Sequence, residues 1–353
     1  MISTEFLQLA LLALGSVLAI MLGLFFGHSV WLVQNNLRNR HLLADGRGAL
    51  ATLIDGNSPG EDESLARLRS LPRRLQIRLL AEAALPLAGA HRERLTAIFE
   101  QLGLVQWSGQ ACTSRVWWKR LRAVRILTLL RTGGEHVRSL VEDPHPLVRA
   151  QAIEWCATEP DAALIHSLLD HLGDASRLCR FTVQDTLLRI GTPVAGPLRV
   201  RLLEPESAGT RNALRIAAGI AGPRFLEPAL LHSASPRAET RSAAARLLGA
   251  VAGEAAVAQL VAMLGDADAG PRASAAAALG EMGQWTAANA VAPLLRDPAF
   301  PVRRAAGLSL RAMGSPGEIF LRRYRTDPDP QASGIATQIL DLPDRPQTLT
   351  GRR

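Results

Sequence analysis

An arginine returns at positions 149, 180, 211, 241, 272 and 303, at intervals of 31, 31, 30, 31 and 31 residues. Six residues before it stand Asp143, Asp174, Pro205, Ser235, Asp266 and Asp297, and eleven after it Gly191, Gly222, Gly283 and Gly314 punctuate four of the six copies. A single globular core has no such period; an internal repeat of this length is the signature of stacked units. Thirty-one residues hold two helices of about ten to twelve residues with two short turns, one αα-hairpin per copy. From each arginine, offsets 0, +3, +4, +7, +8 and +10 share one helix face at 100° per residue. There lie Ala275, Ala276, Leu279 and Met282 in one copy and Ala306, Gly307, Leu310 and Met313 in the next. One hairpin cannot bury such a stripe, so neighbours must stack into a solenoid.

The wording DPHPLVRAQAIEWCA from Asp143 and RDPAFPVRRAAGLSLRAMG from Arg296 resembles HEAT repeats, in particular the short HEAT-like repeats of phycobilisome lyases. The resemblance covers about half the chain closely. It implies an all-α, right-handed α-solenoid of about seven to eight helical hairpins, in which the aspartate of one repeat takes the arginine of its neighbour. A carboxylate in a turn can accept a bidentate, charge-assisted pair from a guanidinium. Arg149, Arg180, Arg241, Arg272 and Arg303 therefore read as structural.

Ahead of the repeats, residues 6–33 carry no charge and only Gln8, Ser16, His28 and Ser29 as polar interruptions. About 20 apolar residues cross a bilayer, so this segment reads as one transmembrane helix. A cleaved signal peptide fits less well: Glu5 is the only charge before the span, and no small-residue cleavage site follows it. Arg38, Arg40 and Arg47 follow it, which by the positive-inside rule places the N-terminus outside and the repeats in the cytoplasm, at the inner membrane of a bacterial cell. Gly23 and Gly27 form a G-x-x-x-G pair that would let two spans approach as a homodimer. Residues 34–62, with DGNSPGEDES, read as a juxtamembrane tether holding one short helix. Residues 63–115 read as a degenerate N-terminal helical cap, 116–340 as the solenoid and 341–353 as a disordered tail.

Of 40 basic residues only Lys119 is a lysine, a bias that points to a GC-rich genome rather than to nucleic acid. The positive excess sits in residues 34–150, so an electrostatic partner belongs at the membrane-proximal end. Cys112, Cys156 and Cys179 are odd in number and unpaired in spacing, which indicates neither a disulfide framework nor a zinc site. Deoxyhypusine hydroxylase, a di-iron HEAT-like enzyme, depends on His-Glu dipeptides; here Glu135 and His136 stand once, in reverse order. His166 and His171 lie about 140° apart on a helix and cannot share an ion as an i, i+4 pair would. No phosphate loop, nucleophile elbow or Cys–His pair occurs. The sequence offers no catalytic residue, no metal ligand set and no cofactor.

Two surfaces remain. Offsets +2, +5 and +9 oppose the buried stripe and would line the concave side; they hold Ile216, Ile220, Arg246 and Leu308, with only Arg189 and Arg246 set against Glu154, Asp185 and Glu281. Phosphates would demand a basic stripe, so this face is expected to dock a protein, with tight closure of the solenoid as the plainer alternative. The second surface is residues 107–131, where Trp107, Trp117 and Trp118 stand among Lys119, Arg122 and further arginines. It reads either as an anion or acidic-partner patch or as a cap whose tryptophans plug the first core. The reading as a whole is a membrane-anchored scaffold or adaptor for another protein, with a membrane-resident synthase or glycosyltransferase complex as one guess at the partner. The alternatives are a HEAT-like enzyme of lyase or alkylpurine glycosylase type, or an anionic lipid or nucleic-acid binder acting through residues 107–131.

Overall fold

A computed structural model describes the backbone of residues 4–56 and 60–343. Among them the chain is helical throughout and divides into two compact units, Met1–Val137 and Arg138–Arg353.

The first unit contains α1 (Thr4–Asp55), α2 (Glu61–Ser70), α3 (Arg73–Ala84), α4 (Gly89–Gln101), α5 (Leu104–Cys112), α6 (Trp117–Leu130) and the single turn α7 (Gly134–Val137). Helix α1 is long and apolar enough to cross a membrane. Its apolar side chains in the described part of the span stand exposed, Phe25 and Phe26 at 72%. Residues 34–55, expected to be a tether, instead continue α1 as helix. Leu43, Leu50 and Ile54 enter one core with Leu68, Leu79, Leu95 and Phe99. Glycine at 46 has a packing reason: a Cβ there would lie 2.7 Å from Leu79 Cδ1 and 2.9 Å from Leu71 Cδ1. Arg47 adds a bond to Glu82 at 2.9 Å, and with Arg78 it holds that carboxyl below its usual range. The boundary expected at 115/116 falls between α5 and α6, which pack on each other inside this unit.

The second unit begins with the 3₁₀ turn Arg138–Glu142 and α8 (Pro146–Trp155). Hairpins follow from α9 (Ala162–Asp170) with α10 (Arg177–Ile190), α11 (Ala195–Leu203) with α12 (Thr210–Ile220), and α13 (Leu226–Ser233) with α14 (Ala238–Val251). Next come α15 (Glu254–Met263) with α16 (Ala269–Glu281), α17 (Ala288–Val291) with α18 (Phe300–Ala312), and α19 (Ser315–Tyr324) with α20 (Pro330–Leu340). Helix α17 lasts one turn, with Pro293 in the 3₁₀ segment that follows it, because proline has no N–H to continue the ladder. Each second helix packs on the next, α8 on α10 through to α18 on α20. The stripe read from the period is core: Ala275, Ala276, Leu279, Ala306 and Leu310 are 0% exposed. Small residues let these helices approach, since a Cβ on Gly280 would meet Ser309 Cα at 2.6 Å. The tail expected over 341–353 lies, from residue 344, outside the described residues.

Between repeats the expected bridges are present at three places. Arg149 reaches Asp174 with Nε and Nη2, both at 3.0 Å; Arg241 reaches Asp266 at 2.8 and 2.7 Å; Arg272 reaches Asp297 at 2.7 and 3.0 Å. Each arginine also turns Nη1 back to two carbonyls of its own turn, as Arg272 does to Asp266 and Ala267. Each aspartate accepts a backbone N–H two residues on, for example Ala299 N to Asp297 Oδ1 at 2.8 Å. One rung thus closes a turn, holds the backbone of the residue just before a helix and ties two repeats together. The Arg241 bond leads in holding Asp266 below the usual carboxylate range. Burial alone would raise Asp174 and Asp297, but their arginines and turn amides outweigh it and lower both.

Arg180 and Arg303 keep the bonds to their own turns without this second half. Pro205 replaces the acid that Arg180 would need, and Asp327 pairs with Arg296 instead of Arg303, at 2.6 Å. The copy at Arg211 is out of step by one residue. Thr210 fills the ladder place at the start of α12, and Arg211 is exposed. There Asn212 Nδ2 bonds Leu172 O at 2.9 Å, and Glu206 accepts from Ser235 and Thr240 at 2.7 and 2.5 Å.

The side chains of Arg272 and Asp297 are only 14% and 5% exposed, and removing one member of a buried pair strands the other. Arg272→Ala should therefore lose about 3 kcal/mol and melt clearly lower in a thermal scan. Arg211→Ala, with no acid at the matching place, should melt within a degree or two of the parent.

Candidate functional site

In the second unit a groove of about 1200 Å³ lies over α14, α15 and α16. Helix α14 gives it Arg246, Gly249 and Ala250, α15 gives Glu254, Val257 and Ala258, and α16 gives Ala273, Ala277 and Glu281. Its walls are built from small residues for the reason that draws the helices together: a Cβ on Gly249 would stand 2.8 Å from that of Ala278. Arg246, Ala250, Glu254, Ala258 and Glu281 are exposed, so the cleft opens to solvent. Charge is sparse, with Arg246 opposed by Glu254 and Glu281. Burial lowers the neighbouring Arg215 guanidinium, and the positive charges of Arg211 and Arg246 add to the effect.

Of the concave residues expected from sequence, Arg246 lines this groove and Leu308 is exposed at 38% on α18, outside its lining. Ile216 is a correction. It is 1% exposed and belongs to the core, and Ile220 is only partly exposed. The cause is the one-residue slip at Thr210: counted from there, Ile216 falls at +6, the same place as the buried Leu247, Ala278 and Ser309. Arg215 then takes the exposed +5 place that Arg246 holds in its own copy. The signal was present in the unequal intervals of 31 and 30 around Arg211. Glu254, Val257 and Ala258 come from a first helix, which the reading of second helices did not consider.

The tryptophan segment forms a separate cleft wholly within the first unit. Trp107, Gln110, Ala111, Ser114, Trp118, Lys119 and Arg122 line about 420 Å³ between α5 and α6. Trp117 and Trp118 are 39% and 51% exposed and do not plug a core; Trp107 is partly buried against it. The Arg73 and Arg122 guanidiniums lie 5.8 and 5.7 Å from the Trp107 ring centre, and Lys119 Nζ lies 5.6 Å from that of Trp118. These are cation–π distances.

Chemistry beyond binding has little to work with. Among the described residues no group of three His, Cys, Asp or Glu side chains is placed to hold a metal ion. Burial pushes the Cys112 thiol to about 11 and the Cys156 thiol to about 12, so neither is a thiolate near neutrality. His171 is a paired residue rather than a free surface histidine: Nε2 lies 2.9 Å from Glu142 and Nδ1 3.5 Å from Asp174.

A family model described as HEAT repeats matches residues 223–311 and 264–341. A search of curated proteins finds no match. Among solved structures, the chain is similar to that of the Kap95:Nup1 complex at 14% identity, covering 86% of this chain and 48% of that one, with a TM-score of 0.57. It is similar to Kap121p bound to Nup53p at 12% identity, over 83% and 40% of the two chains, with a TM-score of 0.53. Human deoxyhypusine hydroxylase aligns at 17% identity over 78% of this chain and 98% of that one, with a TM-score of 0.30. At these identities the likeness to the first two concerns the fold alone, and the chain spans less than half of either. The helical solenoid is shown, with HEAT repeats matched over residues 223–341.

An aspartate in place of Ile216 would put a carboxylate into packed hydrocarbon with no partner, at a cost of several kcal/mol. Ile216→Asp should therefore unfold or precipitate the second unit, read as loss of the helical signal in circular dichroism, while Leu308→Asp keeps it.

Proposed function

We propose that this chain is a single-pass, membrane-anchored HEAT-repeat scaffold whose second unit binds a segment of another protein on the cytoplasmic side. The groove over α14, α15 and α16 is the observation that carries this reading. Its volume of about 1200 Å³ matches a cylinder about 10 Å wide and about 15 Å long, which is about ten residues of bare helix. Walls of Gly249, Ala250, Ala258 and Ala277 let a partner backbone approach closely, and Arg246, Glu254 and Glu281 fix its register at the rim. The two similar structures named above each hold a partner, Nup1 in one and Nup53p in the other. The groove lacks the basic lining that a nucleic acid requires. Gly23 and Gly27 leave open space beside α1, which suits pairing of two spans.

Ala250 is exposed on the groove wall, so an indole there fills the groove and leaves the fold alone. Ala250→Trp in the full chain should abolish co-purification of the partner from detergent-solubilised membranes, with the melting temperature kept within about 2 °C, a shift of well under 1 kcal/mol. Partner retained at parental level would place binding elsewhere.

The arrangement of Glu5 before the span and Arg38, Arg40 and Arg47 after it supports a cytoplasmic C-terminal domain. A reporter fused after Arg353 should be active only as a cytoplasmic protein, and protease added to intact cells should leave the domain uncut. Periplasmic activity of the reporter would reverse the orientation.

A further inference from the structure

The cleft of Trp107, Trp118, Lys119 and Arg122 lies at the end of the first unit that meets the span. Asn35 and Asn39 stand two and six residues past residue 33. At 1.5 Å per residue they lie about 3 and 9 Å beyond the end of the apolar run. Arg74 Nη2 bonds both, Asn39 Oδ1 at 3.2 Å and Asn35 Oδ1 at 3.4 Å. Its neighbour Arg73 sets its guanidinium 5.8 Å from the Trp107 ring, and Arg122 approaches the same ring at 5.7 Å. A headgroup layer is about 5 to 7 Å thick on each side of the hydrocarbon. The start of α3 thus touches α1 at headgroup depth through Arg74 and one wall of the cleft through its chain neighbour Arg73.

The chemistry of the cleft matches that depth. Indoles prefer the membrane interface, and Trp118 is half exposed there with Lys119 Nζ beside its ring. Among the described residues the lining holds no carboxylate; it offers the Lys119 and Arg122 cations, the Ser114 hydroxyl and the Gln110 amide. Arg38 and Arg40 extend the positive charge along α1. A cleft of about 420 Å³ is of the size that holds a small polar ligand.

We infer that this cleft binds the phosphate headgroup of an anionic phospholipid from the leaflet that α1 enters, and so seats the first unit on the membrane surface. The inference rests on α1 spanning the bilayer, as proposed above. Lys119 and Arg122 meet the phosphate, Trp107 and Trp118 flank the glycerol, and the acyl chains stay in the bilayer.

The test uses the full chain in nanodiscs of phosphatidylcholine with phosphatidylglycerol, released into mild detergent and weighed by native mass spectrometry. One phosphatidylglycerol should remain bound. Lys119→Ala with Arg122→Ala should cut the retained fraction at least tenfold, Lys119→Arg should keep it, and Arg246→Ala in the second unit should leave it unchanged. All variants should share the parental helical signal, since the altered side chains are exposed. Equal retention by the parent and the double variant overturns the inference. So does displacement of the lipid by millimolar inorganic phosphate, which would make the cleft a site for free anions, or by an acidic peptide, which would make it a protein site. A carbonate wash of native membranes separates the two readings. Release of the chain ends the anchor and this site together, whereas a chain that stays membrane-bound yet retains no phosphatidylglycerol ends this site alone.

Discussion

The solenoid depends on a guanidinium that does three things at once. A ladder arginine gives one nitrogen to the carbonyls of its own turn and two to the aspartate of the next repeat, while that aspartate also accepts the amide two residues on. Repeats stacked only by apolar stripes could slide, because alanine against alanine fits in several registers. A bidentate pair has one geometry, so it fixes how far each hairpin sits along its neighbour. The rungs are shielded, with arginine side chains 14 to 16% exposed and aspartates 5 to 10%. Replacing one partner is for that reason far more costly than the pair's own net contribution.

Where the rung is missing, other bonds take its place in less regular form. Between Asp174 and Asp266 no arginine crosses from one repeat to the next to a ladder aspartate; the amide of Asn212 and the carboxylate of Glu206 tie the neighbours instead. Burial works against the charge on Glu206, yet the Thr240 and Ser235 hydroxyls and the nearby Arg237 hold its carboxyl below the usual range. The last copy borrows Arg296 from the 3₁₀ segment that follows α17 in the copy before it, stacked on Tyr324 at 5.5 Å, to reach Asp327. The glycine rule bends in the same way. Ala252, eleven residues after Arg241, takes the place of the glycine in its copy and adopts φ 60°, a conformation costly for any residue with a Cβ.

What the sequence made legible follows from what has a period. The hairpins, the core stripe and three rungs were readable because each repeats at fixed offsets, and Leu279 and Leu310 are buried where the offsets put them. In the copies at 241 and 272 offsets +5 and +9 fall on the groove, as Arg246, Ala250, Ala277 and Glu281, while Ala243 at +2 is buried at 2%. The offsets failed at Ile216, because a one-residue slip turns a helix by 100° and exchanges core for surface. Features without a period were harder. The short helix read within residues 34–62 gave no sign that it continues the apolar helix, because the reason for Gly46, the close approach of the Leu71 and Leu79 methyls, lies in another part of the chain. The tryptophans of the first unit left cap and cleft equally open, since sequence does not say which face of α6 is covered.

On the proposed reading of α1 as a membrane anchor, its helical continuation past residue 33 changes what that anchor would do. A flexible tether would only raise the local concentration of the domain near the membrane. A helix that leaves the apolar run and enters a core ten residues later, with Leu43 at 2% exposure, would also fix which side of that core faces the lipid. Ten residues of helix are about 15 Å, too short for the first unit to stand clear of the headgroups and too stiff for it to tumble. The side chains at that edge must therefore suit the interface. Arginine and tryptophan are the residues that do so, since one meets phosphate while the other keeps an apolar body and a polar tip. On the proposed anchoring, the basic excess of residues 34–150 belongs at the interface where α1 would hold it.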